Sequence, residues 1–194
     1  MTQSAKRGFG TVQCRLNRRR FLFYGTVTTA NCLFPAPILA AVDRILTPEK
    51  NLSFYNTHTQ ESLDICFYRQ GHYRNKALTQ INYILRDHRT DEIKPIDTRL
   101  LDLIHALSTK LQNRSPFHVI SGYRSPTSNA KLRRKSKNVA ASSLHMKGKA
   151  IDLRMPGFPT RRLRKIAVNL RKGGVGYYQR SDFIHVDVGR VRHW

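Results

Sequence analysis

The segment Ser143-Leu144-His145-Met146-Lys147-Gly148-Lys149-Ala150-Ile151-Asp152 sets a histidine and an aspartate seven residues apart around a glycine, a spacing that suits two ligands of one metal. A later segment, Asp182-Phe183-Ile184-His185-Val186-Asp187, adds a histidine between two carboxylates, with the alternation of a strand that turns every other side chain toward a site. Catalytic zinc commonly keeps three protein ligands drawn from His, Asp, Glu and Cys and leaves one position for a water that it acidifies. His145, Asp152 and His185 meet that count. Gly148 and Ala150 are small enough to let the chain turn beneath an ion, and Ile151 and Leu153 flank Asp152 as core-facing residues would on a strand. Each histidine taken singly is explained as well by an ordinary hydrogen-bonded role. The three together point to a metal.

With those residues in view, the pattern S-x-H-x-x-G-x-A-x-D over residues 143–152, followed by a late histidine in F-I-H-V-D, resembles the zinc D-Ala-D-Ala peptidases that share a fold with the hedgehog signalling domain, and most of all their murein endopeptidase branch. Ser121-Gly122-Tyr123-Arg124-Ser125 upstream and Gly173-Gly174-Val175-Gly176-Tyr177-Tyr178 downstream match that branch in order and kind, and the likeness covers residues 45–194. The resemblance implies one zinc per chain on His145, Asp152 and His185. It also implies a general base three residues before the third ligand, at Asp182, with Asp187 on the same strand face as the alternative. Arg124 is then placed to stabilise the oxyanion of amide hydrolysis and to contact substrate. Ser143 is expected to orient substrate or a ligand. Read without the family, Arg124 is a turn arginine before Ser125-Pro126 and Ser143 a loop serine.

The elements that must position these residues follow from periodicity and turn chemistry. Strands are expected at 52–56 and 62–68 as a hairpin around Thr57-His58-Thr59-Gln60, then at 117–120, 150–154, 175–178 and 183–188. Helices are expected at 76–87, from Asp97 or Thr98 with Leu100, Leu101, Ile104, Leu107 and Leu111 on one face, at 128–135, and at 160–171 on Leu163, Ile166, Ala167 and Leu170. Strands and helices mixed without regular alternation predict an α+β fold with a mainly antiparallel central sheet and flanking helices.

The first 41 residues read as a leader. Asn17-Arg18-Arg19-Arg20-Phe21-Leu22 resembles a twin-arginine export signal, and the uncharged run 21–42 supplies its apolar region. Pro35, Pro37 and several small polar residues argue against a stable membrane span, while Ile38 or Leu39 at the position three before a cut near Ala40 or Ala41 leaves retention as an anchor open. The domains are therefore a signal over 1–41 and a zinc peptidase domain over 42–194, in the periplasm. Cys14 and Cys32 fall in the signal, so Cys66 stands alone afterwards, expected as a small buried thiol.

Charge bounds the partners. Six of the 35 basic residues precede residue 42, leaving 29 against 12 acidic ones, a net +17. Nucleic acid would answer such a field, but no helix-turn-helix, zinc finger or aromatic-basic interleaving is present. Peptidoglycan stem peptides, with anionic envelope polymers, suit an exported protein better, and Arg133-Arg134-Lys135, Arg161-Arg162 with Arg164-Lys165, and Arg171-Lys172 are the runs that would meet them unless they are simply solvated helix faces. The expected activity is zinc-dependent hydrolysis of amide bonds in peptidoglycan cross-links by a monomer. The alternatives are a D,D-carboxypeptidase trimming terminal D-Ala and a non-catalytic wall-binding module whose structural zinc is closed by His118, His193 or Cys66.

Overall fold

In the computed structural model the described residues are 49–112, 115–136 and 139–194, so the expected leader and its boundary lie outside them. Strands β1 (Lys50–Asn56) and β2 (Ser62–Arg69) form the expected hairpin, and β3 (His72–Tyr73) extends it. Helix α1 (Asn75–Ile84) and helix α2 (Thr98–Leu111) follow, then β4 (Phe117–Ser121) and helix α3 (Pro126–Lys135). The chain continues through a 3-10 turn at Leu144–Lys147, β5 (Ala150–Arg154), helix α4 (Thr160–Leu170), β6 (Gly174–Tyr178), β7 (Phe183–Asp187) and β8 (Arg192–His193). None of these helices is long and apolar enough to cross a membrane.

The strands join one sheet in the order β3-β2-β1-β4-β5-β7-β6-β8. The α+β class holds, but the sheet is mixed rather than mainly antiparallel: β1 lies parallel to β4, and β6 parallel to β8. Local patterning cannot reveal this. The hairpin and two helices intervene between β1 and β4, and that length of chain lets the second strand return in the same direction as the first.

The core forms on one face of the sheet because the strand alternation puts apolar side chains there. Ile151 and Leu153 of β5 and Ile184 and Val186 of β7 are buried with Leu100, Leu101, Ile104 and Leu107 of α2 and Leu163 and Ala167 of α4. Asp97 caps α2 by accepting from the Arg99 amide, as its place before the apolar periodicity implies. Helix α1 ends at Ile84, short of the expected 87, because the Asp87 carboxylate is drawn into the next loop, where it accepts from the Arg89 amide at 3.0 Å. Cys66 is only half-buried, with its thiol 3.4 Å from the Tyr68 carbonyl, which corrects the expectation of a core thiol. Its strand β2 turns alternate side chains outward between β1 and the short edge strand β3.

Candidate metal centre and active site

Packing Ile151, Leu153, Ile184 and Val186 into the core turns the intervening residues of β5 and β7 to the opposite face. The antiparallel register sets Asp152 directly across from His185. His145 reaches the same point from the 3-10 turn before β5. Ser143 starts that turn, its Oγ accepting from the His145 amide at 3.3 Å, so the serine orients a candidate ligand. Gly148 ends the turn at φ +64°, where a Cβ would also collide with the Pro95 carbonyl oxygen.

Three side-chain atoms converge: His145 Nε2 is 3.2 Å from Asp152 Oδ1 and 3.1 Å from His185 Nδ1, and the latter two are 2.9 Å apart. The partners of the other ring nitrogens define what those three atoms carry. His145 Nδ1 lies 2.8 Å from the Gly122 carbonyl oxygen, which can only accept, so this nitrogen holds the proton and Nε2 a lone pair. His185 Nε2 likewise donates to Asp187 Oδ2 at 3.0 Å, so when this ring is neutral it is Nδ1 that carries the lone pair. With both rings neutral, two imidazole lone pairs and a carboxylate oxygen face one another within the buried site, an arrangement that repels unless a positive charge, a proton or a metal ion, lies among them. Donors bound to zinc at about 2.0–2.1 Å in tetrahedral geometry stand roughly 3.3 Å apart, close to the spacing seen here, so this donor set fits the ion. Among the described residues no fourth His, Cys, Asp or Glu joins the cluster. His118 lies against Tyr55 in a tilted pair, His193 is on β8 and Cys66 on β2, and none of the three candidates joins the cluster to close a structural site.

The electrostatics favour a cation at the same point. Burial works to lower the His185 pKa, but the bonds to Asp152 and Asp187 overcome this and raise it to about 9, so a positive charge between this ring and Asp152, carried by a proton on Nδ1 or by a metal ion in its place, is favoured. Burial likewise works to raise Asp152, and the two histidines reverse it, holding this carboxyl well below its ordinary range. Asp152 Oδ2, turned away from the histidines, lies 3.5 Å from Arg124 Nη2. Arg124 is largely buried, and its charge is destabilised first by that burial and partly restored by Asp152. Its Nη2 also reaches Ser121 Oγ at 3.4 Å, while its Nε, also buried, has no protein partner. A cationic donor with an unsatisfied N–H beside the ligand cluster is equipped to meet a developing oxyanion.

The two carboxylates flanking His185 occupy different surroundings. Asp187 is fully buried. Its Oδ1 accepts from the Gly174 amide at 3.1 Å, the Gly189 amide at 2.8 Å and Arg192 Nη1 at 3.1 Å. Its Oδ2 accepts from His185 Nε2 and, at 2.7 Å, from Arg192 Nη2. Asp182 sits in left-handed backbone (φ 50°) just before β7, with its side chain 66% exposed. It accepts from the Thr160 hydroxyl and lies 4.0 Å from Arg154, a residue on the same face of β5 as Asp152. Arg192 and Trp194 were not foreseen. Arg192 clamps Asp187 in bidentate fashion, and the Trp194 ring lies 5.4 Å from that of His185. Their arginine and aromatic character was a weak signal in a chain already rich in arginine, and the parallel pairing of β8 with β6 is what brings them to the site.

A family described as Peptidoglycan L,D-endopeptidase MepK matches residues 46–194. The Peptidoglycan L,D-endopeptidase MepK of Escherichia coli strain K12 is 40% identical over 179 residues, covering 92% of this chain and 97% of that protein. The protein of the same name in Shigella flexneri matches to the same extent. The Probable peptidoglycan L,D-endopeptidase MepK of Haemophilus influenzae is 39% identical over 180 residues, covering 92% and 95% of the two chains. With its His145–Asp152–His185 cluster assembled from a 3-10 turn and two paired strands, this chain belongs to the peptidoglycan L,D-endopeptidase MepK family of peptidases.

Proposed function

We propose that this protein is a zinc-dependent endopeptidase that hydrolyses L,D-type amide bonds in peptidoglycan cross-links. The observation that carries the reading is the convergence of three lone-pair donors, His145 Nε2, Asp152 Oδ1 and His185 Nδ1, in a chain of this family. Zinc held there supplies a Lewis acid that polarises the scissile carbonyl and acidifies a water. The Gly122 carbonyl and Asp187 keep the two imidazoles in the tautomers that leave those lone pairs free. Arg124 stabilises the oxyanion as the carbonyl carbon becomes tetrahedral. Asp182 takes the proton of the attacking water and returns it to the leaving amine. Its exposed carboxylate, three residues before His185 and held by Thr160, favours that role, whereas the oxygens of Asp187 are already filled by His185, Arg192 and two backbone amides.

Digestion of purified cross-linked sacculi, with the metal content of each protein measured, tests this reading. Wild type is expected to bind one zinc and to convert dimeric into monomeric muropeptides, whereas His185→Ala loses both. Equal cross-link loss by the two proteins would sink the proposal. Loss of a single terminal D-Ala from monomers, with dimers intact, would mark a carboxypeptidase instead. Dimers joined through L,D and through D,D bonds, offered separately, read the bond preference.

The proposal includes a twin-arginine leader over 1–41 and a periplasmic catalytic domain over 42–194, on the strength of Arg18-Arg19 ahead of an uncharged run. Arg18→Lys with Arg19→Lys is expected to strand the protein in the cytoplasm; unchanged export would refute that route.

A further inference from the structure

The turn that carries Arg124 is tied to a distant loop through one buried carboxylate. Asp87 Oδ2 accepts from the Ser125 amide at 2.8 Å, and its Oδ1 accepts from the Arg89 amide at 3.0 Å. Thr90 Oγ1 donates to Ser125 Oγ at 3.3 Å, and that same hydroxyl oxygen caps α3 by accepting from the Ser128 amide at 3.1 Å. Loop 87–92, the Arg124 turn and the start of α3 are thereby locked together, and Arg89 is brought against α3.

Between Arg89 and the C-terminal half of α3 lies an open cavity of about 230 Å³ lined by Arg89, Lys131, Leu132, Arg134 and Lys135. Four cations share it, and no carboxylate of the described residues lies within ion-pair reach of any of them. Residues 126–149 contain no acidic side chain, and the nearby Asp91 is engaged by Arg86 at 3.1 Å. Like charges held on a braced loop and a capped helix repel one another and favour an anion between them. Leu132 gives the cavity an apolar wall, which suits an anion borne on an aliphatic stem.

We infer that this cavity is the subsite for a free carboxylate of the peptide substrate, with Arg89 and Lys131 as its specificity-determining contacts. The inference rests on the endopeptidase reading and adds to it a means of setting register. A carboxylate fixed between Arg89 and α3, the helix that follows the Arg124 turn, would set the register in which the scissile amide is presented to His145, Asp152 and His185. Binding energy from a remote anionic group is thereby used to align the reacting centre.

The test compares a soluble L,D-linked muropeptide dimer bearing free carboxylates with the same dimer amidated at those groups, using the zinc-loaded protein. For Arg89→Gln/Lys131→Gln, KM on the carboxylate dimer is expected to rise about tenfold, with kcat held within about threefold. On the amidated dimer the variant and wild type should have the same KM, and Arg89→Lys/Lys131→Arg should restore the wild-type KM on the carboxylate dimer. Arg161→Gln/Lys165→Gln removes equal charge from the exposed face of α4 and should leave both substrates unaffected. An unaltered KM in Arg89→Gln/Lys131→Gln, an equal rise on both dimers, or the same rise in the α4 variant would overturn the subsite while leaving the endopeptidase reading intact. Wild type inert toward both dimers would overturn that reading and the subsite with it.

Discussion

The two ends of strand β7 treat their carboxylates in opposite ways. At the far end, Asp187 is fully buried and its oxygens accept from His185, Arg192 and two backbone amides. At the near end, Asp182 lies mostly in solvent with one hydroxyl donor and a loose contact to Arg154. Burial works to raise the pKa of Asp187, but the bonds from His185 and Arg192 hold it well below the carboxylate range, so it stays a fixed anion. A carboxylate that must exchange a proton needs an oxygen open to water, and one that must orient a ligand needs its oxygens occupied. Two aspartates flanking one histidine therefore suit different tasks.

Substitutions at the two ends can break or sharpen that contrast. Asp182→Ala is expected to lower kcat by about 10²–10⁴-fold while the protein keeps its zinc and its thermal midpoint, as measured by turnover, metal analysis and calorimetry. Retained turnover would shift the base role elsewhere. Asp187→Asn should instead weaken zinc affinity by about 10–100-fold, because the His185 tautomer loses its anionic acceptor, and chelator competition reads that loss directly. It should also lower stability, since Arg192 and the Gly174 and Gly189 amides lose the charge they converge on. If Asp187→Asn lost turnover at full metal occupancy, the division of labour would be wrong. Arg192→Leu, which removes only the partly exposed arm of the clamp, should reproduce the Asp187→Asn phenotype in weaker form, about tenfold or less in zinc affinity.

The smallest effect concerns a third aspartate. Asp87, like Asp187, is buried and bonded to backbone amides, but it braces a loop. Burial works to raise its pKa, and the nearby hydroxyls of Ser128 and Ser125 together with the Arg89 and Ser125 amides outweigh this and bring it down to about 2 from an ordinary 3.8. The folded pKa is depressed, so its stabilisation is present above pH 3.8 and is lost as pH falls through about 2. Asp87→Asn should be less stable than wild type near pH 6, by about 1–3 kcal/mol, with the gap narrowing across that acid window in denaturant titrations.

How far such distinctions were legible in the sequence depended on whether they were local. Helix α2 was readable because its cap at Asp97 and its Leu100, Leu101, Ile104, Leu107 and Leu111 stripe lie within one short segment. The β5 and β7 strands were readable from alternation, which also assigned His185 and Asp187 to one face. The mixed character of the sheet was not, because parallel pairing of β1 with β4 depends on a long return of the chain. The half-exposed state of Cys66 was hidden for a related reason: its apolar segment runs between β1 and a two-residue edge strand.

By itself, then, the sequence determined which side chains could ligate a metal, the face each strand would turn toward them, and the capped helix that backs the core, because those properties follow from residue chemistry and short-range periodicity. Tertiary structure alone decided that Asp152 stands opposite His185, that Arg124 reaches Asp152, and that Arg192 and Trp194 return to the site from the end of the chain. It also separated Asp182 from Asp187, two residues of the same type within one segment. Protonation, donor count and burial belong to the surroundings of a carboxylate, and those surroundings are assembled from strands, turns and loops far apart in sequence.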